Sequence, residues 1–205
     1  MSNAMAIVEN LIDEGITFSQ VITAMMECGQ NNPHHYGSVW EHSLDVSLYF
    51  PDKTRILQII GLLHDCAKPF VKVTSNGRDH FYGHEEASAK LTKYLIETDA
   101  DLTDYENDVE FICKMIRHHN LGMIMTVKGD DHLIKVNAEN LQTIINDYKL
   151  NEYELKTLLL ICEADIMAQA RVAVTDNGEV TRNDKLEILE AIRKVMQEND
   201  LHYCE

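Results

Sequence analysis

Residues 56–69 of the chain, ILQIIGLLHDCAKP, join an apolar stripe to a His-Asp doublet. The apolar residues of the stripe recur at intervals of three and four, which is the spacing of one buried helix face. They are Ile56, Ile59, Ile60 and Leu63. The doublet His64-Asp65 follows directly, where an unpaired carboxylate would carry a large desolvation penalty. We therefore expect a helix that leads into a buried Asp65 and a cation beside that carboxylate.

The same helical spacing continues through most of the chain, and long runs of strict alternation are rare. Residues with the capping preferences of a helix N-terminus mark further helix starts. They are Thr17, Ser38 with Glu41, Thr103 with Glu106, and Asn151 with Glu154. We predict an all-α helical bundle, with N-terminal helices over 5–29 and a C-terminal helix over about 183–199. The C-terminal helix would close the bundle or contact a second subunit.

Three stretches break the helical pattern. Asn76-Gly77 is a dipeptide that tight hairpin turns prefer, so a short hairpin or loop insertion is expected near residues 69–82. Residues 122–137, with a turn at Gly129-Asp130-Asp131, and the stretch Asp176-Asn177-Gly178 are likewise irregular. These stretches are predicted to be insertions in a helical body.

The organisation of the 205 residues is that of one domain. Residues 1–4 are typical of a vector-derived leader ahead of a native start at Met5. No internal repeat or linker divides the remainder, which predicts a single domain over 5–205 with a metal-site core at 30–170.

Composition and charge exclude several classes of function. Lys and Arg number 18 against 34 Asp and Glu, a formal charge of -16, which disfavours binding of an extended nucleic-acid duplex. The five cysteines form no C-x-x-C pair and are expected to be reduced thiols in the cytoplasm. No apolar run is long enough to cross a bilayer, so no membrane partner is expected.

Histidines are numerous, ten in all, and several lie near predicted helix ends together with aspartates. The candidates are His42, His64, Asp65, His84, His118, His119 and Asp165. Imidazole and carboxylate suit a divalent iron, manganese, nickel, cobalt or zinc ion, and the set is sufficient for two ions. Isolated histidines such as His132 and His202 are more typical of surface positions, and His34 and His35 are ambiguous. Lys68 is either a surface lysine or a donor to a bound phosphate.

These residues resemble the HD superfamily of metal-dependent phosphohydrolases, named for the doublet matched by His64-Asp65. The likeness is greatest to the HD domain of bacterial CCA-adding tRNA nucleotidyltransferases. Six segments resemble that domain in the same order: residues 30–35 (QNNPHH), 39–44 (VWEHSL), 62–69 (LLHDCAKP), 83–85 (GHE), 117–119 (RHH) and 164–169 (ADIMAQ). The first 29 residues are too few for the nucleotidyltransferase head, so CCA addition is not expected. Ala67 stands where the family usually has glycine, a change that we expect the site to survive.

The resemblance implies a ligand set. A first ion would be held by His42, His64, Asp65 and Asp165. Asp65 would bridge to a second ion, completed by His84 with His118 or His119. Neighbouring residues of a helix point about 100° apart. His118 and His119 could therefore bind the same ion only if the helix ends at this pair. We favour His119, because relatives often keep only that position.

The expected activity is metal-dependent hydrolysis of a nucleotide phosphomonoester or phosphodiester by a metal-activated water. First substrates to consider are a 2′,3′-cyclic nucleotide, a nucleoside monophosphate and an RNA end. Asp65 and Lys68 are the predicted catalytic residues, Lys68 and Arg117 would bind the substrate phosphate, and Arg171 is a weaker candidate. The alternatives are a non-catalytic module that binds nucleotides or RNA ends, and a metal site that only joins helices.

Overall fold

The structure is a computed structural model that describes residues 3–31, 37–51, 54–121, 127–128, 134–170 and 184–204. The chain divides into two compact units, Met1–Arg117 and His118–Glu205. None of the described helices combines the length and the apolar character that a membrane crossing requires.

The first unit is built of helices with one hairpin. Its α-helices are α1 (Asn3–Asp13), α2 (Phe18–Glu27), α3 (Val39–Leu48), α4 (Arg55–Leu63), α5 (Lys68–Val71), α6 (His84–Thr98) and α7 (Val109–Arg117). A 3₁₀-helix, Ala100–Asp108, precedes α7, and strands β1 (Val73–Ser75) and β2 (Arg78–His80) lie between α5 and α6. The predicted all-α class is confirmed. Residues of the supposed leader take part in the fold, since α1 includes Asn3 and a buried Ala4.

Capping boxes begin two of these helices where the sequence predicts them. Thr17 and Gln20 cap α2 reciprocally. At the start of α3, the Ser38 hydroxyl accepts from the Glu41 amide at 3.2 Å, and the Glu41 carboxylate accepts from the Ser38 amide at 2.7 Å. Each box satisfies amides that lack partners within the helix. The start of α3 is thereby fixed one turn before His42.

The predicted start at Thr103 is wrong. The Asp99 carboxylate accepts from the Asp101 amide at 3.0 Å and caps the 3₁₀-helix instead. Thr103 lies inside that helix, and its hydroxyl donates to the Ala100 carbonyl at 3.2 Å. A capping residue one turn earlier in the chain therefore takes the role that the spacing assigned to Thr103.

Helices α3 and α4 approach each other closely because Gly61 has no side chain. A Cβ at Gly61 would lie 2.9 Å from both the Cα and the amide nitrogen of Ser47 on α3. Real Cβ atoms essentially never approach backbone so closely. The two helices carry residues of the candidate site, so this contact sets the spacing of the site.

The insertion predicted near residues 69–82 is a β-hairpin. Strands β1 and β2 pair antiparallel, with Val73 opposite His80, Thr74 opposite Asp79 and Ser75 opposite Arg78. Asn76 and Gly77 both have positive φ, 52° and 72°, as a type I′ turn requires. The hairpin prediction is confirmed.

The second unit contains α8 (Ala138–Tyr148), α9 (Glu152–Ala170) and α10 (Asp184–Glu198). Asn151 and Glu154 form the predicted capping box at α9, with both hydrogen bonds at 2.9 Å. Residues of α10 are buried, at Ile188, Leu189 and Ile192. Strands β3 (Val127–Lys128) and β4 (Ile134–Lys135) form an antiparallel pair that the irregular pattern did not predict. The turns at Gly129-Asp130-Asp131 and Asp176-Asn177-Gly178 lie outside the described residues.

Candidate metal centre

The candidate site of the first unit surrounds the carboxylate of Asp65. The His64 Nε2 lies 3.1 Å and the His42 Nε2 3.7 Å from Asp65 Oδ2. The His84 Nε2 lies 3.2 Å from Asp65 Oδ1, and the Lys68 Nζ lies 2.6 Å from Oδ2. The Asp65 side chain is 1% exposed. The structure thus brings four of the residues predicted from sequence around the buried carboxylate of a fifth, Asp65.

Each of these side chains is positioned at the site by the start or the end of a helix. His42 lies in the first turns of α3, and His64 caps the C-terminus of α4. Lys68 begins α5 one turn after Asp65, and its amide donates to the Asp65 carbonyl at 2.9 Å. His84 begins α6 after Gly83, whose φ of 74° lies in the left-handed region that favours glycine.

Two of the histidines have a fixed tautomer. The His64 Nδ1 lies 2.7 Å from the Gly61 carbonyl, and the His84 Nδ1 lies 2.8 Å from the Phe81 carbonyl. A carbonyl oxygen only accepts, so Nδ1 carries the hydrogen in both rings. When neutral, each ring therefore directs the lone pair of Nε2 toward the Asp65 carboxylate. In metal sites, a hydrogen bond from the ring nitrogen that does not bind the metal commonly orients the histidine.

This donor set fits a divalent cation. His42, His64 and Asp65 are all buried, and each offers one ligand atom within 4.8 Å of the others. Imidazole nitrogens and a carboxylate that face one another repel unless a proton or a metal ion lies among them. Their chemistry suits the divalent transition metals predicted from sequence, without selecting among iron, manganese, nickel, cobalt and zinc.

The electrostatics of the site keep Asp65 ionised. Burial raises the pKa of Asp65, but the charge of His64 when its ring is protonated, the charge of Lys68, and hydrogen bonds from the protonated rings of His64 and His84 outweigh it. The pKa of Asp65 is consequently well below its usual range. An ionised carboxylate at this position is the form that binds a cation.

Lys68 is a buried part of the site, with 5% of the residue exposed. Its ammonium donates to the Gln30 side-chain oxygen at 3.2 Å and lies 5.3 Å from the centroid of the Phe81 ring. With the Asp65 contact, these neighbours place the charge inside the cluster. The reading of Lys68 as a plain surface lysine is therefore excluded. Sequence reasoning did not single out Gln30 as a partner of Lys68.

Asp79 fastens the hairpin to the segment that carries Gln30. The Asp79 carboxylate accepts from the Asn31 amide at 2.9 Å and the Thr74 hydroxyl at 2.7 Å, and it pairs with Lys72 at 2.7 Å. These hydrogen bonds, with that of Lys72 first, lower the pKa of Asp79 to about 2. Lys72 also donates to the Gly29 carbonyl at 2.6 Å.

Ala67 is compatible with the turn that follows the doublet. Its φ of -89° and ψ of -9° are negative, right-handed angles that residues with a Cβ can adopt. The Ala67 amide donates to the buried Ser88 hydroxyl at 3.1 Å. Cys66 beside it is fully buried, and burial raises the pKa of its thiol to about 12. Both residues therefore pack the core beneath the site.

The remaining candidates of the second unit are His118, His119 and Asp165. The His118 ring stacks on Tyr148, with centroids 3.9 Å apart and planes 15° apart. His119 is 3% exposed, and its carbonyl accepts from the Cys162 thiol at 3.0 Å. Half-buried Asp165 accepts from the Gln169 amide group at 3.1 Å on each oxygen.

Other predicted residues lie at the surface or outside the described residues. Arg117 belongs to the first unit, and its Nε donates to the Glu86 carboxylate at 2.7 Å on an exposed face. His202 is exposed. Residues outside the described ranges are His34, His35, His132 and Arg171.

The family model for the HD domain matches residues 34–170, which is more than half of the chain. The chain therefore belongs to the HD domain family, and this membership implies metal-dependent phosphohydrolase activity in general terms. Comparison with the curated proteins and with the solved structures yields no match.

Proposed function

We propose that this chain hydrolyses a phosphomonoester or phosphodiester of a nucleotide and depends on a divalent metal ion. The observation that carries the proposal is the buried, ionised Asp65 between His42, His64 and His84, with Lys68 at 2.6 Å. Burying such a concentration of ligand atoms and charge is costly, and buried clusters of this kind are typical of binding and catalytic sites.

His42, His64 and Asp65 would hold a first ion, with Asp165 as the further ligand that the family resemblance implies. For a second ion, the family resemblance implies His84 with His118 or His119. Burial of His119 and the stacking of His118 on Tyr148 favour His119 over its neighbour. When bound, the metal supplies a Lewis acid that neutralises phosphoryl oxygens and lowers the pKa of a water.

The protein groups have separate tasks around that chemistry. The Gly61 and Phe81 carbonyls hold the rings of His64 and His84 in the tautomer that binds through Nε2. Asp65 orients the attacking water through its carboxylate. Lys68 donates to a nonbridging phosphoryl oxygen, for which it exchanges its hydrogen bond to Gln30. Its burial strengthens that interaction, because the local dielectric constant is low.

The substrate proposed is small. A chain with a charge of -16 repels a long polyanion, whereas a single phosphate group meets Lys68 and a metal-neutralised cluster. The resemblance to the HD domain of CCA-adding enzymes makes 2′,3′-cyclic nucleotides and nucleoside monophosphates the first compounds to assay.

The test is phosphate release from a nucleotide panel, before and after chelation and after readdition of each divalent ion. Asp65→Asn is compared with Asp104→Asn, a matched change at a carboxylate that is 69% exposed and pairs with Arg55. We expect turnover that requires a metal ion, is abolished by Asp65→Asn and is retained by Asp104→Asn. Nucleotide binding without turnover under any ion would instead favour the non-catalytic module.

A further inference from the structure

The Lys68 ammonium lies on the carboxylate oxygen that two histidines of the cluster also face. The Lys68 Nζ lies 2.6 Å from Asp65 Oδ2. The Nε2 atoms of His64 and His42 lie 3.1 Å and 3.7 Å from the same oxygen. A metal ion bound by these histidines and Oδ2 would share that oxygen with the ammonium. Two cations that close together repel each other where the local dielectric constant is low, so Lys68 and a metal ion compete for Asp65.

Burial limits where the ammonium can go when it leaves Asp65. The Lys68 side chain is 6% exposed, and a buried ammonium without a partner is costly. Among the residues that the structure describes, the only other hydrogen-bond acceptor in contact with it is Gln30 Oε1, at 3.2 Å. The Phe81 ring, with its centroid 5.3 Å away, adds a cation–π attraction. Gln30 is therefore the group that can receive the ammonium.

The carboxamide of Gln30 is oriented for this role. An ammonium group only donates hydrogen bonds, so the amide oxygen faces Lys68 and the amide nitrogen points away. That nitrogen lies 3.5 Å from the Ser38 carbonyl, a long contact that fits this orientation. Gln30 is 6% exposed, so water competes little for the oxygen. Because the carboxamide is neutral, it holds the ammonium without adding a charge to the cluster.

The backbone on both sides of Gln30 is anchored. The Asn31 amide donates to the Asp79 carboxylate at 2.9 Å, and the Asn31 carbonyl accepts from the Asp79 amide at 3.1 Å. On the other side, the Lys72 ammonium donates to the Gly29 carbonyl at 2.6 Å. These contacts involve no residue of the cluster, so the acceptor keeps its place whichever partner Asp65 has.

We propose that Asp65, when it binds a divalent metal ion, releases the Lys68 ammonium to the Gln30 carboxamide. Lys68 then opposes metal binding and Gln30 favours it. The inference rests on the metal site of the proposed function and gives Gln30 a role in it. The transfer also keeps the ammonium beside the cluster, where a phosphoryl oxygen can take the place of Gln30. A purely structural role would give a different result, because loss of either residue would then weaken metal binding.

The test is calorimetric titration of chelator-treated protein with Mn²⁺ and, separately, with Zn²⁺. Lys68→Met removes the competing charge and should raise the metal affinity roughly 10- to 100-fold. Gln30→Leu removes the alternative acceptor and should lower the affinity roughly 10-fold. The double variant should bind metal as tightly as Lys68→Met alone, because it has no ammonium for Gln30 to receive.

Two variants outside the cluster are matched controls. Lys156→Met removes the same charge from a side chain that is 60% exposed and pairs with Glu152. Gln58→Leu removes a half-buried carboxamide that donates to the Phe50 carbonyl at 3.1 Å. Both should bind metal as the wild type does. Circular dichroism checks that each variant folds, and Lys68→Gln, which keeps a polar group at this buried position, replaces Lys68→Met if the latter does not fold.

An affinity of Lys68→Met equal to or below that of the wild type would overturn the proposal. An equal loss on Gln30→Leu with and without Lys68 would do the same. Either result with metal bound leaves the proposed phosphohydrolase intact. The expected order of affinities without phosphate release from any nucleotide would instead overturn the proposed function and keep the transfer. No binding of either ion to any of the proteins would overturn both.

Discussion

Replacing Gly61 with alanine is expected to destabilise the first unit and to widen the metal cluster. The new Cβ would meet the Cα and amide nitrogen of Ser47 at 2.9 Å and the carbonyl carbon of Val46 at 3.1 Å. These are backbone atoms, so the contact is relieved only if α3 and α4 separate. Overpacking costs about 1–3 kcal/mol, and we take the upper half of that range because backbone atoms cannot rotate away from the new Cβ.

A gain of helix propensity opposes this cost. Alanine is better than glycine in a helix by about 1 kcal/mol, which leaves a net destabilisation of about 1–2 kcal/mol. For a chain of this size that is a fall in Tm of roughly 2–8 °C. Separation of the helices also moves His42 on α3 away from His64 at the end of α4, so metal affinity should fall.

Urea unfolding, thermal unfolding and metal titration measure the two effects. Gly29→Ala is the matched control, because a Cβ at Gly29 meets nothing within 4 Å and the φ of Gly29 is not positive. It should leave metal affinity unchanged and should raise stability slightly, by about 0.4–1 kcal/mol, because alanine lowers the entropy of the unfolded chain. A Gly61→Ala protein as stable as the wild type, with the same metal affinity, would refute the argument that this glycine sets the spacing of the site.

Three further changes test other parts of the account. Lys68→Gln removes the ammonium beside Asp65 and should lower kcat by about 10²–10³. Phosphate release measures this effect, with Lys156→Gln as the surface control. Equal kcat values for the two variants would exclude Lys68 from catalysis. Asp79→Asn should destabilise the hairpin at neutral pH. Because folding lowers the pKa of Asp79 from 3.8 to about 2, its stabilisation exists above pH 4 and is lost as pH falls toward 2, so urea unfolding should show the two proteins converging in acid. A difference that persists at pH 2 would contradict this. Ala67→Gly should cost about 0.5–1 kcal/mol of stability through chain entropy and leave metal content unchanged, whereas a gain in stability would show that Ala67 is strained.

Local signals in the sequence predict much of the first unit. Ser38 and Glu41 satisfy amides within one helical turn, and Asn76-Gly77 adopts the positive φ angles that its turn requires. The desolvation argument at Asp65 also holds, since the structure buries this carboxylate beside the Lys68 ammonium and histidine ring nitrogens. Each of these features depends on neighbouring residues or on the cost of burying one charge.

Features that depend on distant parts of the chain escape such reasoning. Gln30 reaches Lys68 across 38 residues, and Asn31 reaches Asp79 across 48, so no spacing rule connects them. Thr103 shows the converse, because its spacing suits a cap but Asp99 takes the role. The ligand assignments of His119 and Asp165 likewise come from family resemblance rather than from spacing.

The central claim is that the cluster around Asp65 binds a divalent metal ion. Its most direct measurement is elemental analysis of metal per chain, on the wild-type protein, His42→Ala, Asp65→Asn and the surface control Asp104→Asn, after saturation with each ion and dialysis. The account predicts bound metal in the wild type and in Asp104→Asn, and its loss from both cluster variants while they remain folded by circular dichroism. Equal metal content in all four proteins, or none in the wild type with any ion, would contradict it.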